Sequence, residues 1–205
     1  MTGNEIRYIS GRTVTQENIY QALLLDRIAY DEIFYLDLPT CLDYFQKNHQ
    51  IYFMALDTAE NVIGYINFSP VTYEMYQKIK SGNVVDTTIR ANDIVAYSSN
   101  QQLWGYFSSI VVHPSFRRHG IGTELIRNVL SFLIEKAKKD RIFFNGIVAD
   151  AVSADGERFL NRVGFDKELL SSHCSMIMSF TPESSSCRVT ELNQKLIKTY
   201  KEELN

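Results

Sequence analysis

The stretch from Trp104 to Lys139 constrains this chain most. Trp104 to Val112 is rich in aromatic and β-branched residues and is ended by Pro114. Gly120 to Lys139 places Ile121, Leu125, Val129, Leu133 and Ala137 at regular helical spacing, joined by Ile126, Leu130 and Ile134. The first pattern reads as a strand and the second as a helix with one broad apolar face. Lys136, Lys138, Lys139 and Arg141 gather at the end of that helix, where the macrodipole favours cations. A buried strand that feeds a long helix through a short turn requires a sheet with helices packed on it.

The remaining pattern extends this reading in both directions. Ile6 to Ile9 reads as a short strand, and Thr15 as the N-cap of a helix running to about Tyr30. Pro39 opens a second helix, Thr40 to Lys47. Ile51 to Leu56 and Val62 to Phe68 form a hairpin around the turn at Asp57 to Asn61. Residues 70–103 are less regular and hold a helix at Tyr73 to Lys80, stopped by Ser81-Gly82, and a polar connection at Ser98 to Gln102. Asn145 to Val152 is a strand, Ser153 caps a short helix ending near Val163-Gly164, and Asp166 to Phe180 is a terminal hairpin. The order β-α-α-β-β-insertion-β-α-β-α-β-β predicts a mixed α/β fold, with a largely antiparallel central sheet flanked by helices. One domain is expected over 1–181. Residues 182–205 read as a serine-rich linker, Ser184 to Ser186, and a C-terminal helix, Thr190 to Glu203. Leu192, Leu196 and Tyr200 on that helix could dock on the domain or on a partner, or the segment could fray.

Composition excludes several classes. The chain has 205 residues, enough for one sizeable core, and its 12 Tyr, 12 Phe and one Trp are too many for a disordered polymer. A formal net charge of -3 leaves no excess of positive charge to hold a phosphate backbone, so nucleic acid is not expected as a main partner, while a local basic site for a small anion stays open. No stretch reaches the ~20 apolar residues that span a bilayer, and the first residues carry no basic segment followed by an apolar run. Three cysteines, Cys41, Cys174 and Cys187, form no paired spacing, which argues against a disulfide framework and a zinc site and for a reducing, cytoplasmic compartment. No metal is expected.

The chemistry-bearing segment is the turn between strand and long helix, Ser109 to Leu125, with two glycines and two arginines. The first N–H groups of a helix lack partners inside it and carry a partial positive charge. Gly120 and Gly122 remove side chains that would block an anion, so the turn suits a phosphate or pyrophosphate. A P-loop would need Gly-Lys-Ser/Thr, whereas Thr123-Glu124 follows Gly122. A dinucleotide fingerprint would need a third glycine where Leu125 stands.

The pattern Arg117-x-x-Gly120-x-Gly122, with the lead-in Val112-His113-Pro114, resembles the acetyl-CoA motif of the GNAT superfamily of N-acetyltransferases. A second likeness is the strand, small helix and Gly164-Phe165 that follow, so that the resemblance covers roughly Trp104 to Phe180. It implies an acetyl-CoA-dependent transfer to a primary amine of a small molecule or peptide. The backbone of Ile110, Val111 and Val112 would hydrogen-bond the pantetheine like an added strand. The segment Arg118, His119, Gly120, Ile121, Gly122 and Thr123 would hold the pyrophosphate, with Arg117 and Arg118 adding charge-assisted bonds. A homodimer is compatible with the family.

The sequence departs from the family at its usual catalytic positions. Where relatives carry Glu or His on the central strand, this chain has Tyr106 and Ser108; where they carry a Tyr before Gly-Phe, it has Leu160; where an Asn often starts the small helix, it has Ser153. Tyr106, Ser108 and Asp150 are the candidates for handling the amine proton through water; Asp150 could equally be a capping or surface carboxylate. The oxyanion would form near the N–H of Val111 or Val112. His113 and His119 read as surface turn residues, and His173 beside Cys174 as a strand residue facing away from it. Alternatives are a longer acyl group, an oxygen acceptor, or a CoA-binding protein without catalysis. The acceptor is expected against the first helices and the insertion, where Asp31, Glu32, Asp37, Glu74, Asp86 and Asp93 suit a cationic amine.

Overall fold

The structure, a computed structural model, describes residues 6–182, 184 and 187–204. Seven strands, β1 (Arg7–Ser10), β2 (Tyr52–Leu56), β3 (Val62–Val71), β4 (Gln102–Val112), β5 (Phe143–Ala151), β6 (Asp166–Leu170) and β7 (Met176–Phe180), form one sheet in the order β1-β2-β3-β4-β5-β7-β6. All neighbours run antiparallel except β4 and β5, which are parallel and joined across a helix. Helices α1 (Gln16–Ala29), α2 (Leu38–Lys47) and α3 (Tyr73–Lys80) pack with one face of the sheet. Helices α4 (Ile121–Asp140), α5 (Ala154–Val163) and α6 (Gln194–Leu204) pack with the other. Side chains alternate between faces along a strand, so Tyr52, Met54 and Leu56 join the first layer while Phe53 and Ala55 join the second.

Local chemistry explains the boundaries. Thr15 and Asn18 cap α1 reciprocally, and Asp37 caps α2 by accepting from the Thr40 amide at 2.8 Å. The reading of α2 as starting after Pro39 is thus off by two residues, because Pro39 lies inside the first turn where no amide donor is needed. Strand β3 continues past Phe68 to Val71, and β4 starts earlier, at Gln102. Pro70 fits there because it pairs opposite Gly105 while its carbonyl accepts from Val95 at 2.9 Å. Ile121, Leu125, Ile126, Val129, Leu130, Leu133 and Ala137 bury the inner face of α4, each larger side chain contributing roughly 1.5–3 kcal/mol of gross hydrophobic stabilisation.

The C-terminal helix is part of the core. Leu196, Ile197 and Tyr200 are buried against the α4 layer, and the Tyr200 hydroxyl accepts from the Phe144 amide at 3.1 Å. Thr190 and Asn193 bond each other ahead of α6, and Asn193 Nδ2 donates to Val163 O at 2.8 Å. In the serine run read as a linker, residues 185 and 186 lie outside the described residues.

Candidate active site

Two features of β4 make the site. The parallel ladder with β5 ends at the pair Phe107–Ala149, while β4 continues to Val112 on β3 and β5 continues to Ala151 on β7. The register with β3 shifts between Asn67 and Phe68, which leaves Ser108 as the extra residue of a bulge. The bulge bends β4 away from β5, and a V-shaped opening lies between Ser108–Val112 and Asp150–Val152.

Backbone alternation decides which groups face this opening. The His113 amide donates to Ile63 O at 2.9 Å on the β3 side, whereas the Ile110 amide donates to the Tyr30 hydroxyl at 3.2 Å. Ile110 and Val112 therefore present backbone to the opening. Val111 does not: its N–H faces β3, opposite Tyr65, so its amide is turned away from the pantetheine and oxyanion contacts expected of it. The Ile110 groups are occupied by Tyr30, whose hydroxyl also donates to Ile110 O at 3.4 Å. An added strand would take that hydroxyl's place.

Beyond Val112 the chain makes a 3-10 turn, Pro114–Phe116, and enters α4 through two residues in the left-handed region, Arg118 at φ 66° and Gly120 at φ 82°. Among the described residues, no backbone hydrogen bond uses the N–H groups of Arg118, His119, Gly120, Ile121, Gly122 or Thr123; the first in the helix to bond is that of Glu124, to Gly120 O at 3.0 Å. Six amides without a backbone partner therefore lie at the positive end of a 20-residue helix. Arg117 Nε donates to Val112 O at 3.2 Å, and Arg118 and His119 are exposed. A Cβ on Gly122 would make only ordinary contacts, 3.6 Å from Phe159 and 3.8 Å from Val112, and one on Gly120 would meet nothing within 4 Å. The protein's own packing thus does not require the bare Gly122, whereas a phosphate seated on the amides would.

The opening leads into two adjoining cavities. The outer, enclosing about 310 Å³ of non-protein space including its mouth, is lined by Tyr30, Phe34, Asp86, Tyr106, Ser108, Ser109, Asp150 and Val152. It shares Asp86, Tyr106, Ser108 and Ser109 with an inner one of about 490 Å³, which reaches Asp26, Tyr65, Asn67 and apolar side chains of α1 and α2. All three candidate catalytic residues, Tyr106, Ser108 and Asp150, therefore line the outer cavity. Tyr106 is buried and its hydroxyl donates to Asp86 Oδ1. Burial, with Asp86 beside it, pushes that hydroxyl well above its ordinary range, so Tyr106 is a donor and not a base at neutral pH. Ser108 Oγ donates to Asn67 Oδ1 at 2.9 Å.

Asp150 accepts from His173 Nε2 at 2.6 Å through Oδ2, while its Oδ1 and the His173 Nδ1 are buried without a hydrogen-bond partner. His173 was expected in a strand. It lies in the β6–β7 turn, where Cys174 at φ 65° sends the two side chains apart and leaves His173 against Phe34. Sequence reasoning also passed over Asp26, whose Oδ1 accepts from the Tyr65 hydroxyl. Burial, against the pull of that hydrogen bond, raises the Asp26 carboxyl to about 7. Burial likewise raises Asp86 to about 7, with Asp150 adding to it. Of the other acidic residues expected near the acceptor, Asp31, Glu32, Asp37, Glu74 and Asp93 line neither cavity. Leu160 is buried in the α4 layer. Among the described residues no cluster of His, Cys, Asp and Glu has the makings of a metal site, and no helix is long and apolar enough to cross a membrane.

The profile of the acetyltransferase (GNAT) family matches residues 17–165. The chain belongs to the GNAT acetyltransferase family. No curated protein matches it. Among solved structures it is similar to Ard1 from Thermoplasma volcanium, at 14% identity and a TM-score of 0.55 over 88% of this chain and 98% of that one. It is also similar to Arabidopsis thaliana Naa50 in complex with the bisubstrate analogue CoA-Ac-MVNAL, at 13% identity and a TM-score of 0.54 over 86% and 98%. A third similar structure is the GNAT-like decarboxylase GphF in complex with isobutyryl-CoA, at 11% identity and a TM-score of 0.62 over 86% and 98%. At these identities the likeness is one of fold, and the family's chemistry is acyl-CoA-dependent N-acyltransfer.

Proposed function

We propose that the protein transfers an acetyl group from acetyl-CoA to a primary amine of a small molecule or peptide by direct attack. The observation that carries this reading is one continuous path. Amides without a backbone partner at the start of α4 lead along the edge of β4 that leaves β5, where Tyr30 covers the Ile110 groups, into a cavity holding an unpartnered carboxylate oxygen. The Naa50 complex, with its linked CoA and peptide, supports a donor and an acceptor meeting in this fold.

In this reading the amides of Arg118 to Thr123 hold the pyrophosphate, and the backbone of Ile110 and Val112 holds the pantetheine once Tyr30 has moved. An incoming ammonium gives its proton to Asp150, directly or through water at Ser108. The freed lone pair attacks the thioester carbon, the C–S bond breaks, and CoA leaves as a thiolate that takes up the second proton lost by the nitrogen, leaving a neutral amide and CoA thiol. A thiol is acidic enough to leave without a donor at position 160. The developing oxyanion lies near the N–H of Val112 or Ile110. His173 holds Asp150 through Oδ2, leaving Oδ1 for the amine.

The test is release of free thiol from acetyl-CoA with a panel of amines, with Asp150→Asn alongside. Loss of a general base lowers kcat by ~100-fold or more. The burial of Leu160 favours a second reading, a CoA-binding protein without catalysis. Acetyl-CoA binding with no thiol release for any amine would select it.

A further inference from the structure

The two cavities hold two carboxyl groups, the buried Asp26 and the half-buried Asp86, for which the described residues supply no lysine or arginine. Asp26 is 8% exposed, and its hydrogen bond among the described residues is from Tyr65 to Oδ1. Asp86 is bonded in the same way, by Tyr106. No lysine or arginine among the described residues pairs with either. Buried charges are ordinarily paired, because an uncompensated one is costly. A third carboxylate faces the same space: the Asp150 side chain is 7% exposed and its Oδ1 has no partner.

Their placement is ordered. Asp150 lies at the outer cavity, beside the free edge of β4 where a thioester would sit. Asp86 stands on the wall common to both cavities, and Asp26 in the inner one. Leu23, Leu36, Ile89 and Ile94 line the inner cavity with Asp26 and suit methylene groups, beside the polar Asn67 and Ser69. A space with one carboxylate at Asp150, two more at Asp86 and Asp26, and aliphatic walls in its inner part matches a methylene chain that carries more than one ammonium.

We propose that the acceptor is an aliphatic α,ω-diamine or longer polyamine, with the reacting amine at Asp150 and the distal ammonium held between Asp26 and Asp86. This rests on the acetyltransferase reading above and names its acceptor. The Tyr65 and Tyr106 hydroxyls fix the two carboxylates, so the site is set before the ligand arrives.

The experiment measures kcat/KM for acetyl-CoA with diaminoalkanes of three to six methylenes, n-alkylamines of the same lengths, and a pentapeptide with a free N-terminus. Diamines should exceed the matched monoamines by on the order of 10–100-fold, the scale of a charge-assisted hydrogen bond. Asp26→Asn and Asp86→Asn should shrink that ratio to about three or less. A monoamine within threefold of its diamine in the wild-type protein overturns the proposal with no variant needed, as does a peptide that outperforms every diamine. If no acceptor turns over, calorimetry with 1,5-diaminopentane on the CoA-loaded protein decides: binding weakened by Asp86→Asn supports the diamine site, and no binding overturns it. Acetyl-CoA affinity is measured in parallel, and its absence sinks the acetyltransferase reading itself.

Discussion

Gly120→Asp puts the cofactor assignment under the most direct strain. Gly120 sits at φ 82° and ψ -4° just ahead of α4, and a Cβ there meets nothing within 4 Å. The substitution therefore costs the fold only the left-handed backbone, about 1–2 kcal/mol for an ordinary residue and less for Asp, which visits that region readily. A carboxylate at the positive end of the helix returns about 0.3–1 kcal/mol. In a chain of 205 residues, where 1 kcal/mol shifts Tm by about 2–4 °C, the apo protein should melt within about 4 °C of wild type. The ligand experiences the opposite sign. A unit charge about 5 Å from a phosphate repels it by about 3 kcal/mol at an effective dielectric near 20, or roughly 100-fold in Kd. Gly120→Ala shares the backbone cost without the charge and is the control. Calorimetry with acetyl-CoA should show Gly120→Asp binding at least about thirtyfold more weakly than Gly120→Ala. Equal affinities in two folded variants would refute the placement of pyrophosphate at α4.

Leu160→Tyr should destabilise by about 1–3 kcal/mol without speeding thiol release, because Leu160 is packed in the core beneath α4; faster release at unchanged Tm would show the position facing the sulfur instead. Asp26 and Asp86 have folded carboxyls near 7 against an ordinary 3.8, so the folded state holds extra protons between about pH 4 and 7 and loses stability as pH rises through that window. Melting should fall from pH 5.5 to 8, and the fall should flatten in Asp26→Asn; a curve that rises over the range contradicts this. Gly164→Ala should loosen α6, since its Cβ would come within 2.2 Å of Asn193 Nδ2 at a φ of 114°, and hydrogen exchange in 194–204 should rise well before the sheet opens.

Much of the fold was legible because its determinants are local. The four-residue spacing from Ile121 to Ala137 fixes α4 and its buried face, and Thr15 and Ser153 act as caps where they were read as caps. The strand-to-helix turn proposed to hold a phosphate could be picked out for the same reason, since its glycines, arginines and amides lie in one contiguous segment. Errors arose where a partner far along the chain decides the outcome. Val111 was grouped with its neighbours, and only its register with Tyr65 on β3 shows that its amide turns away from the opening. The end of β3 was placed at Phe68, because Pro70 reads as a stop until Gly105 and Val95 show which of its groups need partners.

The acidic cavity was nearly invisible for a stronger form of this reason. Asp26 comes from α1, Asp86 from the insertion, Asp150 from β5 and His173 from the β6–β7 turn, and no spacing rule links them. One signal did exist. Ile19 and Ala22 mark the buried face of α1, and the next position on that stripe is Asp26, a charge where the helical period calls for an apolar side chain. A polar residue on an inward face is either a liability or a sign that the interior there is not simply a core. The structure gives the second answer: the stripe that begins by packing on the sheet ends by lining a cavity. His173 carried no such mark, because its burial depends on the turn at Cys174 and on Phe34, which come together only when the sheet is complete. Cofactor sites of this kind are written in consecutive residues because a phosphate is recognised by consecutive amides. The acceptor site proposed above is written across the fold instead, in residues such as Asp26 that violate the local pattern.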